Sequence, residues 1–155
     1  MNHSNKTVCV VGASGLLGSN VLKEALARGY KVNGTLRDVN APGKATFLNA
    51  LPNAEANLRL FEAEMADKAS FDDAFSNVDC VFIACLIPVY KGPKGKPARE
   101  MDDEQGYAEI IMPTVNGCLN IMNAAAKQKV KNVVICSSTS STNPIPPVPI
   151  KNEID

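Results

Sequence analysis

Three glycines at intervals of three residues stand out as the part of this sequence best suited to chemistry: Val8-Cys9-Val10-Val11-Gly12-Ala13-Ser14-Gly15-Leu16-Leu17-Gly18. They separate an apolar, β-branched run from a stretch in which Leu17, Val21, Leu22, Ala25 and Leu26 recur at helical spacing. A strand–turn–helix of this kind can leave backbone N–H groups bare at a helix N-terminus, which is the arrangement that receives a pyrophosphate. Gly12 would supply the tight turn, Gly15 the close approach of backbone to ligand, and Gly18 the close packing of helix on strand. Ser14, Leu16 and Leu17 complete the candidate phosphate-binding residues. The competing reading, glycines that merely mark a turn, is weakened by the flanking strand and helix.

The second chemical signal lies about 20 positions on, where an acidic residue bonds the ribose of NAD or an Arg accommodates the 2′-phosphate of NADP. Here the segment is Thr35-Leu36-Arg37-Asp38. Leu36 offers no hydrogen bond, whereas the planar, permanently charged fork of Arg37 suits a phosphate, so NADP is expected ahead of NAD. Lys44 is a candidate second phosphate contact, although taken alone it reads as a surface lysine. Asp38 carries the opposite reading, in which it bonds the ribose and Arg37 is a solvated charge.

These residues need a scaffold, and the rest of the chain supplies one. Apolar runs at residues 7–11, 31–36, 58–63, 80–85 and 132–136 read as strands, separated by helix-like stretches, the pattern of a parallel sheet with helical crossovers. The first helix spans 16–28 and stops at Gly29 as a C′ residue. Residues 41–51 form a weak helix and 70–75 a short one, with Asp72 and Asp73 in a first turn that favours acids. Residues 101–129 are mostly helical, with a kink or restart forced by Pro113. Residues 88–97, rich in Gly, Pro and Lys, and the Ser/Thr/Pro-rich stretch from 137 to 149 read as loops. The fold class is α/β, a Rossmann-type doubly wound sheet of about five strands in the order 3-2-1-4-5.

Composition sets outer bounds. A chain of 155 residues fits one domain with a core of its own. The 16 Lys+Arg balance 16 Asp+Glu, so nucleic acid and anionic membrane are not expected partners. No apolar run approaches the roughly 18 to 20 residues that cross a bilayer, and the polar start carries no signal-peptide pattern, so a cytoplasmic location is expected. The five cysteines, Cys9, Cys80, Cys85, Cys118 and Cys136, sit mostly in apolar runs as reduced core thiols, and no spacing suggests a metal site. His3 is the sole histidine and lies near the end of the chain, which removes His-based nucleophilic mechanisms.

The glycine turn and four later segments resemble the extended short-chain dehydrogenase/reductase superfamily, and within it the dihydroflavonol reductase and cinnamoyl-CoA reductase group. The segments are Gly29-Tyr30-Lys31-Val32 leading to Leu36-Arg37-Asp38; Phe61-Glu62-Ala63-Glu64-Met65-Ala66-Asp67 with Ser70-Phe71-Asp72; Asp79-Cys80-Val81-Phe82; and Pro113-Thr114-Val115-Asn116-Gly117-Cys118-Leu119-Asn120-Ile121-Met122. The resemblance implies that Arg37 and Lys44 hold a 2′-phosphate, that Glu64 and Met65 line the adenine pocket, and that Ala84 and Cys85 flank the ribose and nicotinamide side. It also implies a supporting role for Asn116, a small-molecule carbonyl or acyl-CoA substrate, and a homodimer through the long helix as one arrangement the group uses. Glu64 stands where the group usually has Asp, and Ile83-Ala84-Cys85-Leu86-Ile87-Pro88 departs from its pattern.

The same resemblance places a carbonyl-binding Ser at the end of the fifth strand, where Ser138 aligns best and Ser137 second. The proton donor of that superfamily is a Tyr with a Lys four residues later, some tens of residues beyond this Ser. Tyr90 and Lys94 have the spacing but lie in a Gly/Pro-rich loop, where four residues do not share a helical face, so a lid suits that loop better. The expected organisation is therefore a nucleotide-binding domain over residues 1–138 and a tail over 139–155 that begins a missing catalytic and substrate portion. Such a chain would bind cofactor without reducing a carbonyl alone; a non-catalytic sensor or scaffold module is the rival reading.

Overall fold

The computed structural model describes residues 5–85 and 91–138. Its centre is β1 (Thr7–Val11), paired in parallel with β2 (Lys31–Leu36) on one side and β4 (Cys80–Ile83) on the other. β3 (Leu58–Glu62) lies outside β2 and β5 (Asn132–Ile135) outside β4, giving the order β3-β2-β1-β4-β5 expected from the sequence. Parallel neighbours require crossovers. α1 (Leu16–Ala27) joins β1 to β2, and α2 (Lys44–Asn49) with α3 (Ala54–Asn57) joins β2 to β3. Between β4 and β5 run α4 (Asp103–Gly106), a π-helical turn at Tyr107–Ile111 and α5 (Met112–Lys127).

Successive strand residues face opposite sides of a sheet, so β1 feeds two cores. Val8 and Val10 pack with Leu22, Leu26, Val32 and Leu48 under α1 and α2. Cys9 and Val11 pack with Phe71, Phe75, Val81, Ile83 and Ile121 under α5. The chain winds toward β3 with helices on one face and toward β5 with a helix on the other. The strand order thus reverses between β1 and β4, and a crevice opens at their carboxyl ends.

Both long helices end in the same hydrogen-bonded motif. After α1, Gly29 (φ +81°) allows Tyr30 N–H to reach the Ala25 carbonyl at 3.1 Å and its own N–H to reach Leu26 at 3.1 Å. After α5, Lys129 takes the equivalent left-handed conformation at φ 56°, with Val130 N–H bonded to Ala125 at 2.9 Å. Gly29 is the stop residue foreseen; Lys129 fills the same role with a side chain that strains it.

Several boundaries differ from expectation. β3, β4 and β5 end at Glu62, Ile83 and Ile135, one or two residues early, although Ala63, Ala84 and Cys136 each donate one more N–H to the adjacent strand. The expected helix at 70–75 is a run of turns: the Ser70 hydroxyl donates to the carbonyls of Glu64 and Asp67, and such local side-chain bonds compete with helix formation. The weak helix of 41–51 shrinks to α2, and the short α3 was not foreseen. Pro113 restarts the helix as expected: α5 begins at Met112 with the proline in its first turn, where its missing N–H costs nothing, and a π-helical turn in which Met112 N–H bonds Tyr107 leads into it. The five cysteines are free, but only Cys9 is fully buried and Cys136 is exposed, so the thiols are not uniformly core residues. No described helix is long and apolar enough to cross a membrane. His3, Tyr90 and residues 139–155 lie outside the described residues.

Replacing Lys129 by Gly should raise stability by about 0.5–1 kcal/mol, because left-handed backbone costs an L side chain roughly that much. Urea denaturation checks this; an unchanged or lowered midpoint would contradict it.

Candidate functional site

At the carboxyl end of β1 the chain reverses through Gly12 at φ +80°. A Cβ on Gly12 would lie 2.5 Å from the Cβ of Cys85, so both the turn and the approach of the β4 end require glycine. The turn is tied to β2, with Gly12 N–H donating to Thr35 Oγ1 at 3.3 Å and Ala13 N–H to the Thr35 carbonyl at 3.0 Å. Gly15 is the N-cap of α1, and a Cβ there would meet only the Gly12 carbonyl, at 3.4 Å, so its outer side is open. Gly18 is the tightest of the three: its Cβ would stand 2.1 Å from the Gly12 carbonyl oxygen. It packs the helix onto the turn rather than the strand, a refinement of the expected role.

No side chain caps the start of α1 and no acidic residue lies in its first turn. The first N–H groups of a helix carry partial positive charge and seek an acceptor. Beside this helix start lies a cavity of about 410 Å³ lined by Val11, Gly12, Ser14 and Gly15 of the turn, Thr35 to Arg37 at the end of β2, Lys44 at the start of α2, Ala63 to Met65 after β3, Phe71, and Ala84 with Cys85 after β4. That volume is in the range of small-molecule sites.

The charges are arranged asymmetrically. Arg37 and Lys44 reach the cavity from neighbouring segments, and neither forms an ion pair among the described residues. Asp38 instead turns its carboxylate onto its own loop, accepting the Asn40 N–H at 2.8 Å, and does not line the cavity. The Cys85 thiol is pushed up to about 11, first by burial, then by nearby Cys118 and Glu64, so it stays protonated at neutral pH.

The structure brings together Gly12, Ser14, Gly15, Arg37, Lys44, Glu64, Met65, Ala84 and Cys85. Leu16, Leu17 and Gly18 do not line the cavity: Leu16 and Leu17 side chains point to solvent and only their backbone belongs to the helix start, while Gly18 is buried beneath it. Ser137 and Ser138 follow β5, exposed and outside the cavity lining. Asn116 is exposed on α5, whereas Asn120, one turn later, is buried and donates to the Met65 carbonyl. Lys94 sits in a turn between the bridged residues Lys91 and Pro97, not on a helix. Thr35 was missed; a buried Thr ending a central strand was its only signal. A larger groove of about 630 Å³, lined by Val21, Tyr30, Cys80 and Phe82 among others, lies on the α1 face over β4, where its charged pair Glu24 and Arg28 bond each other at 2.9 Å. It lacks the convergent backbone donors of the first cavity.

Residues 12–153 match the NAD(P)H-binding family, and the chain belongs to it. Dihydroflavonol 4-reductase of Arabidopsis thaliana is 37% identical over 144 residues, covering 92% of this chain and 35% of that protein. Cinnamoyl-CoA reductase CAD2 of Medicago truncatula is 36% identical over 144 residues, covering 91% and 41%. Among solved structures, vestitone reductase from alfalfa aligns with a TM-score of 0.63 at 32% identity over 86% of this chain and 36% of that one. Gre2 from Candida albicans, in complex with NADPH, aligns with a TM-score of 0.65 at 26% identity over 87% and 38%. The resemblance to the dihydroflavonol and cinnamoyl-CoA reductase group holds, and the chain spans 35% of the length of the first curated relatives it matches.

Gly18→Ala tests the closure of the turn. A methyl group overlapping backbone should cost about 3 kcal/mol or more, and circular dichroism melting should show a large loss. A wild-type melting temperature would contradict the geometry.

Proposed function

We propose that this chain is the NADP(H)-binding portion of a reductase acting on a carbonyl or acyl-CoA substrate. The observation that supports it best is the convergence, beside one cavity, of an uncapped helix N-terminus with two cations that have no carboxylate partner among the described residues. The backbone N–H groups at Leu16 and Leu17 would hold the diphosphate, the Gly15 N–H being bonded to the Gly12 carbonyl at 3.1 Å, with Arg37 and Lys44 on the 2′-phosphate and Glu64 with Met65 on the adenine. Ala84 and Cys85 would flank the nicotinamide half, with the protonated thiol of Cys85 as a neutral wall. When bound, the reduced cofactor supplies a hydride. Ser138, at the carboxyl end of the neighbouring strand, would hydrogen-bond the carbonyl that accepts it. Among the described residues no Tyr and Lys share a helical face beside the cavity, so we assign these residues nucleotide binding without turnover. Free thiols suit a reducing, cytoplasmic compartment.

The exposed stripe Tyr107, Ile111, Val115, Leu119 and Met122 along the long helix would be covered by a second copy in a homodimer. Light scattering of the purified chain should then report twice the monomer mass, falling to one with Leu119→Glu; a monomer throughout contradicts that arrangement.

Cofactor choice has its own test. NADPH should bind at least about tenfold more tightly than NADH, the worth of a charge-assisted phosphate contact, and Arg37→Ala should erase most of the difference. Equal affinities for both nucleotides in both proteins, by calorimetric titration, would contradict the assignment.

A further inference from the structure

Met65 lines the cavity from a point where β3 has already left the sheet, so the strand ladder does not fix it. Two residues of α5 do. Asn120, 8% exposed, donates its Nδ2 to the Met65 carbonyl at 2.8 Å. A carbonyl oxygen can only accept, so the amide's orientation is forced. Gly117, three residues earlier on the same helix face, makes room: a Cβ there would lie 2.7 Å from Met65 Cε and 3.0 Å from Met65 Cβ. From the other side Ser70 brackets the adjoining residue, its hydroxyl accepting the Glu64 N–H at 3.1 Å and donating to the Glu64 carbonyl at 2.9 Å. Cys85 Sγ approaches Met65 Sδ at 3.7 Å, so a shift of Met65 would also reach the β4 side of the cavity.

We propose that Asn120 is a positioning residue of this cavity, holding the Glu64–Met65 backbone at a set distance and thereby fixing affinity for the adenylate half of the cofactor. The role rests on the nucleotide reading of the cavity. It differs from the support assigned by resemblance to Asn116, whose side chain is exposed. Among the described residues the Asn120 side chain bonds Met65 rather than the turn or the cations, so its influence should fall on NADPH and NADH alike.

The test titrates adenosine 2′,5′-bisphosphate, NADPH and NADH into wild type, Asn120→Asp, Asn120→Ala and Asn120→Gln. Asp keeps the volume and loses the donor, Ala loses both, and Gln restores an amide on a longer stem. The bisphosphate should bind about tenfold more weakly to the Asp and Ala proteins, the usual consequence of losing one buried hydrogen bond. The NADPH-to-NADH ratio should stay at its wild-type value, Gln should recover part of the loss, and the ¹³C carbonyl resonance of Met65 should move in the ligand-free Asp protein. Wild-type affinities in both the Asp and Ala proteins, or an unmoved Met65 resonance, overturn the role while leaving the nucleotide reading intact. Failure of wild type to bind any of the three overturns both.

Discussion

The contact between the start of α1 and the turn that precedes it governs this structure. Gly18 lies so close to the Gly12 carbonyl that not even a methyl group fits, and Gly12 itself can neither carry a Cβ nor take a negative φ. Those two restrictions bring the helix N-terminus over the end of β1 with its start uncapped by any side chain and its flank pressed on the turn. A looser junction would let Leu16 or Ser14 swing across the opening, and the local positive field of the helix end would be lost to solvent.

Topology then determines what the helix end faces. Helices lie on opposite faces to either side of β1, so among the described residues no helix crosses the carboxyl ends of β1 and β4, where a crevice forms. Much of the cavity wall comes from the ends of strands and the few residues that follow them: Val11 and Gly12 at β1, Thr35 to Arg37 at β2, Ala63 to Met65 after β3, Ala84 and Cys85 after β4. Ala63 and Ala84 still donate one N–H each to the neighbouring strand, whereas Glu64 and Met65 lie beyond that bond, where Ser70 and Asn120 of α5 steady them in place of sheet pairing.

Much of this was legible in the residues. The alternation of β-branched runs with helical periods points to a parallel sheet with crossovers, and the glycine turn after the first strand points to the dinucleotide-binding strand order. Arg37 could be found because position after the second strand has a chemical meaning; Glu64, Met65, Ala84 and Cys85 came from family resemblance, since no spacing rule points to them. What stayed hidden has two sources: Asn120 reaches Met65 across 55 residues, while the π-helical turn before Pro113 and the turns at 70–75, where the Ser70 hydroxyl takes local carbonyls, are choices that periodicity does not encode. Asp38 was ambiguous as a sequence letter; its bond to Asn40 gives the carboxylate a partner away from the cavity.

The backbone itself can be asked where the diphosphate sits. In a ¹⁵N-labelled chain titrated with NADP⁺, the amide resonances of Leu16 and Leu17 should move most and become slowest to exchange with solvent. Perturbations confined to the apolar groove around Val21 and Phe82, with those two amides unmoved, would contradict the account.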